Sequence, residues 1–168
     1  MDNTVRIWIL DTSALIDFKK IIGVSDQWHA FKTLEALVSD GSVAMPRQVI
    51  KEVSGIAHPD LPGAWAPGVR RSLRYPTDVP YEYLQRVMMV AGEVVDATKT
   101  DEDADPYVLA MALWLVDQGA EPVVVTTDQV DRLPIRIALA TACQRLNIRC
   151  VDAGGFLTAV GIAIRRGN

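Results

Sequence analysis

The sequence predicts a three-layer α/β/α fold, with helices on both sides of a largely parallel central sheet. Short β-branched or aromatic runs stand at residues 5–10, 122–127 and 148–151, with a briefer buried run at 42–45. Helical stripes lie between these runs, and no two-residue turn joins one run directly to the next. Strands that alternate with helices in this way pair in parallel.

Each element has its own local reason. Residues 5–10 are Val, Arg, Ile, Trp, Ile and Leu, a strand that stops at Asp11, Thr12 and Ser13, where short polar side chains can cap a helix. Apolar residues at 14, 15, 18, 21 and 22 then mark a helical stripe. A second helix is expected over 26–39, with Trp28, Phe31, Leu34, Leu37 and Val38 inward, and Asp40 with Gly41 as a turn. Pro46 suits the first turn of a third helix that buries Val49, Ile50 and Val53. Prolines and glycines break the pattern over 58–80, the longest irregular stretch expected, which also holds Trp65, Arg70, Arg71, Arg74 and Tyr75. Helical rhythm resumes over 81–97 and 106–118. Residues 122–127 form a continuous apolar run of the kind found in buried parallel strands. Helices over 135–146 and 156–164 flank the last strand, and no repeat or boundary divides residues 1–168 from a single domain.

Composition excludes several classes. Of 168 residues, 49% are hydrophobic and 23% charged, a globular rather than disordered balance. No apolar run approaches the roughly 18 residues of a membrane span, and Asp2 before a short apolar run is unlike a signal peptide. The expected location is the cytoplasm, with no membrane partner. Cys143 and Cys150 form no CxxC pair and read as packing thiols, while His29 and His58 have no neighbourhood that marks a catalytic partner. The net charge of −4 argues against a general nucleic-acid binder, though carboxylates gathered at a cation would be partly neutralised.

Four acids then stand out. Asp11 and Asp128 each follow an apolar strand, and sites in open parallel sheets form beyond the carboxyl ends of the strands. Either aspartate alone is equally a helix cap. Asp105 precedes Pro106 and reads as the cap of the next helix, yet Asp101, Glu102 and Asp103 crowd the same end, and a cap needs one carboxylate. Glu52 taken alone is an exposed helical glutamate.

The residues around these acids resemble the motifs of PIN domains. Ile9 to Ile16, with Asp11 followed by Thr12 and Ser13, is similar to the family's opening motif. Pro46 with Glu52 resembles the second, Asp105 opening an apolar helix with Ala110 and Ala112 the third, and Thr126 with Asp128 the fourth. Order and spacing agree over nearly the whole chain. The chain departs from small family members in its proline-, glycine- and arginine-rich segment at 58–76, which looks like an insertion, and its end is closer to a PIN-like subgroup.

The resemblance implies a ribonuclease dependent on Mg²⁺ or Mn²⁺, with Asp11, Glu52, Asp105 and Asp128 as the catalytic acids. Asp11, Asp105 and Asp128 would be metal ligands, and Ser13, Thr126 and Asp103 supporting groups. Many small relatives are VapC-like toxins that pair with an antitoxin protein, and many are homodimers. An all-oxygen acid set without a histidine cluster also suits a hard cation better than zinc. Arg70, Arg71 and Arg74, with Lys19, Lys20, Arg132 and Arg136, are candidates for RNA phosphates, and Trp65 and Tyr75 for stacked bases; solvated surface arginines are the plainer reading. An aspartyl phosphatase is the rival enzyme, but Ser13 stands where its second acid belongs. The other rival is an inactive PIN-like module that binds RNA or protein.

Overall fold

The computed structural model describes residues 4–55 and 60–165, so Asp2, His58 and Pro59 lie outside the described residues. The first apolar run becomes β1 (Arg6–Leu10), with Ile7, Ile9 and Leu10 buried. It is followed by α1 (Thr12–Ile21), α2 (Gln27–Asp40), β2 (Val43–Ala44) and α3 (Arg47–Ser54). The chain continues through α4 (Leu61–Val69), α5 (Tyr81–Ala91), α6 (Asp105–Asp117), β3 (Glu121–Val125), α7 (Leu139–Arg145), β4 (Arg149–Val151) and α8 (Ala153–Ala159). Gly41 closes α2 with a φ of 87°, a conformation that a side chain would strain.

The four strands form one parallel sheet in the order β2-β1-β3-β4. Helix α1 packs against α3, α4 and α8, whereas α5 packs against α6 and α7, and α6 lies on β1 and β3. The fold is therefore a three-layer α/β/α arrangement, as the alternating pattern predicts. The chain leaves β1 for β2 on one side and later returns to β3 on the other. That reversal opens a crevice past the carboxyl ends of β1 and β3, where ligands bind in open parallel sheets. Among the described residues no helix is long and apolar enough to cross a membrane.

Several expected elements differ. The stretch 58–80 is not irregular throughout, because α4 runs over Leu61–Val69. Asp60 caps it by accepting from the Gly63 N–H at 3.0 Å, and Pro62 lies in the first turn, where no intrahelical donor is lost. Val69 and Ala66 are buried on its inner face. The helix expected over 135–146 begins only at Leu139, since backbone groups of Arg136 and Ile137 bond elsewhere, to Arg132 and Glu93. The stretch 81–97 is helical as α5 and then a short 3-10 turn at Gly92–Val94, and the last helix sits earlier than 156–164, as α8. Trp28 does not face inward: it is 69% exposed, with Lys32 over its ring at 5.5 Å.

Candidate active site

The ladder between β1 and β3 pairs Leu10 with Val125, so the residues just past both strands emerge side by side. The Asp11 N–H extends the ladder to the Val125 carbonyl at 3.1 Å. Asp11 starts α1 without a side-chain cap bond and is only 2% exposed. Its carboxylate points across to the neighbouring strand end, where Oδ2 accepts from Ser13 Oγ at 2.7 Å and Thr126 Oγ1 at 2.9 Å. The two hydroxyls are 3.0 Å apart. With both protons on the carboxylate, that contact carries none. Thr126 Oγ1 also accepts from the Asp128 N–H, and Ser13 Oγ from the Thr127 N–H, both at 3.1 Å. Ser13 and Thr126 thus lace the two strand ends together around Asp11.

Glu52 reaches the same place from α3. Its Oε2 accepts from Thr12 Oγ1 at 2.6 Å and its Oε1 from the Ala104 N–H at 3.0 Å, joining the starts of α1 and α6. This glutamate is not the freely solvated helical residue that it resembles when read alone. Glu52→Ala is expected to leave the buried Ala104 donor unpaired and cost about 1–3 kcal/mol. Thermal unfolding would show this as a lower midpoint, and an unchanged midpoint would count against the tie.

Asp105 does not cap α6: it is the first helical residue, after Ala104. Asp103 does the local tethering, accepting from the Asp96 N–H at 3.1 Å and from Lys99 Nζ at 3.3 Å. The Asp105 carboxyl is released from capping and instead faces the crevice. Burial, then the negative charge of Asp11, pushes its pKa up to about 8, with Asp103 and Asp128 adding to the effect and Arg136 opposing it. Burial also raises the Asp11 pKa, against the lowering effect of its two hydroxyl donors.

Asp128 completes the group. Its Oδ2 accepts from Arg136 Nη1 at 2.7 Å and from the Leu139 N–H at 2.8 Å, and the same Nη1 lies 3.4 Å from Asp105. Asp11, Glu52, Asp105 and Asp128 therefore line one cavity of about 330 Å³, together with Lys99, Arg132 and Arg136. A second cavity of about 620 Å³ shares Glu52 and Lys99 with it and adds Lys51, Thr98 and Thr100. The four acids are brought together; the three arginines expected to bind RNA are not among them. Arg70 and Arg71 lie exposed in the turn after α4, and Arg74 Nε is bound to the Ser39 carbonyl at 2.6 Å. Neither expected stacking ring is free. Trp65 packs edge-on against Phe31 with centroids 5.4 Å apart, and the Tyr75 hydroxyl donates to the Gly41 carbonyl at 3.0 Å.

The donor set fits a hard cation in type: aspartate and glutamate oxygens backed by hydroxyls, with no thiol or imidazole in the lining. Asp11 and Asp105, each with a raised pKa, are the pair whose ionisation a cation would favour. Among the described residues no three Asp, Glu, His or Cys side chains form a group that could hold a metal ion, and Arg136 engages Asp128 and approaches Asp105. Sequence reasoning placed Arg136 among candidate phosphate contacts and missed this pairing. No local spacing signals it, since the seven residues between Asp128 and Arg136 belong to neither helix nor strand ladder. Lys99 also lines the cavity, and its i,i+4 spacing to Asp103 is the one signal of it in the sequence.

Fold and cavity together define an α/β protein with acids gathered past the carboxyl ends of a parallel sheet. The chain belongs to the family described as "Domain of unknown function (DUF4411)", whose model matches residues 8–164. No curated protein matches it.

Proposed function

We propose that this chain is a PIN-like, metal-dependent ribonuclease that hydrolyses RNA phosphodiester bonds. The observation that carries the reading is the convergence of Asp11, Glu52, Asp105 and Asp128, from four separate segments, on one crevice. Proteins rarely gather acids at this density without a cation or a reaction to use them. Mg²⁺ or Mn²⁺, when bound, would polarise a water and stabilise charge on the phosphoryl oxygens. Asp11 and Asp105 are the residues best placed to hold it, with Ser13 and Thr126 keeping the Asp11 carboxylate oriented. Glu52 holds the mouths of α1 and α6 in register and retains lone pairs for a water. A homodimeric state and a toxin role with an antitoxin partner belong to the same proposal and rest on the PIN resemblance; a cytoplasmic location is proposed with them.

The test is cleavage of end-labelled single-stranded RNA with Mg²⁺, with Mn²⁺ and with EDTA. Cleavage in both metals and none in EDTA is expected, whereas intact RNA at stoichiometric protein would sink the reading. A second reading, an inactive RNA- or protein-binding module, is favoured by one observation: Arg136 already pairs with two of the acids. RNA binding without turnover would select it.

Substrate contacts should follow the cations that line the two cavities. Arg132→Ala and Lys51→Ala are each expected to weaken RNA binding and reduce its salt slope by about one. Arg70→Ala and Arg71→Ala should leave both unchanged, because these side chains stand outside the cavity lining. Filter binding across a salt series measures the contrast, and a larger loss at Arg70 would move the RNA path to α4.

A further inference from the structure

We propose that Arg136 is a resident cation of the acidic cavity, a positioning residue that holds Asp128 and limits the cavity to one divalent ion at Asp11 and Asp105. The proposal rests on the nuclease reading for the ion and goes beyond it in assigning the number of ions and what sets that number.

The geometry is specific. Arg136 is half-buried, and its side chain is only 10% exposed. Its Nη1 carries two protons but faces three acceptors: Asp128 Oδ2 at 2.7 Å, the Ile137 carbonyl at 3.1 Å and Asp105 Oδ2 at 3.4 Å. Two protons make two good bonds, so the contact with Asp105 is the weakest of the three. An arriving cation would therefore take Asp105 and leave Asp128 on the guanidinium.

The loop around Arg136 keeps it there. Arg132 and Arg136 exchange backbone bonds at 2.9 and 3.1 Å, and the Ile137 N–H donates to the Glu93 carbonyl at 2.9 Å. Asp131 accepts from the Ala138 N–H at 2.8 Å and from Thr141 Oγ1 at 2.6 Å. A surface arginine could swing away from an incoming ion; this one is held on both sides.

Charge points the same way. Lys99 is paired with Asp103 and Arg136 with Asp128, whereas among the described residues Asp11 and Glu52 have no ion pair. A second divalent ion at Asp128 would sit beside a guanidinium already bound to Oδ2 of the same carboxylate at 2.7 Å, and the two positive charges would repel. With the guanidinium charge removed, Asp128 becomes available to a second ion.

The experiment counts Mn²⁺ bound per chain by electron paramagnetic resonance, in the whole protein. Wild type is expected to bind one ion and Arg136→Gln, which keeps donors and loses the charge, two. Arg136→Lys, which restores the charge, should return the count to one. If Arg136→Gln is unfolded in EDTA, added Mn²⁺ should restore its circular dichroism, and failure to do so overturns the proposal. Two ions on wild type, or one on Arg136→Gln at unchanged affinity, also overturns it while leaving the nuclease reading intact. No Mn²⁺ on any of the three proteins overturns both.

Discussion

Asp11→Asn is expected to reduce metal-dependent RNA cleavage by more than about 100-fold, since even indirect partners of a metal site are typically worth 10–100-fold. Asparagine matches the shape of aspartate and can still accept from Ser13 and Thr126, which hold the carboxylate at 2.7 and 2.9 Å. What it lacks is the negative charge. Asp11 is 2% exposed, and burial already works against its ionised form. Removing the charge should therefore leave the thermal midpoint in EDTA equal to wild type or higher. Loss of activity with a preserved midpoint separates a chemical role from a structural one. Full activity in Asp11→Asn would be decisive against the proposed mechanism.

Asp105→Asn is expected to weaken the fall of stability with rising pH in metal-free buffer, to which buried Asp11 also contributes. Its carboxyl is raised from an ordinary 3.8 to about 8 in the folded chain. Between those values the folded state holds a proton that the unfolded state has lost. Stability of the wild type should consequently fall as pH rises from about 4 towards 8, and level off above. Asparagine carries no such proton, so the variant should show a shallower decline and exceed wild type at pH 8.5 by about 1–3 kcal/mol. Urea unfolding at pH 5 and pH 8.5 measures both proteins. The same proton bears on the proposed cation, which ionised Asp105 would bind and neutral Asp105 would not. Apparent Mn²⁺ affinity should thus rise by up to about tenfold per pH unit as pH approaches 8. Affinity that is flat with pH, together with equal slopes in urea, would remove Asp105 from the site.

Much of the fold was legible because it depends on local pattern. The β-branched run before Asp11 and the valines before Thr126 both became buried parallel strands, at β1 and β3. Where the reading failed, a local rule met a non-local demand. Proline and glycine in 58–80 suggested irregular chain, yet Pro62 lies where a helix tolerates it and Val69 had a core to enter. Residues 135–138 have a helical pattern, but Arg136 is drawn to Asp128 and Ile137 to Glu93, which delays α7 to Leu139. Trp28 departs in the opposite sense: amphipathic spacing places the aromatic ring in the core, yet it lies in solvent beside Lys32.

By itself the sequence determined the alternation of strands and helices, the parallel sheet that follows from it, and the four acids at the starts or ends of those elements. Periodicity and capping chemistry act over a few residues, and a single chain displays them openly. Only the tertiary structure decided that these acids share one cavity, that Asp103 tethers while Asp105 is free to face inward, and that Arg136 rather than Arg70, Arg71 or Arg74 supplies the nearest positive charge. Those facts depend on the β2-β1-β3-β4 order, which places the ends of β1 and β3 together and brings α3 and α6 to the same rim. Electrostatic interactions act through space over a few ångströms, and distance along the chain says nothing of that separation.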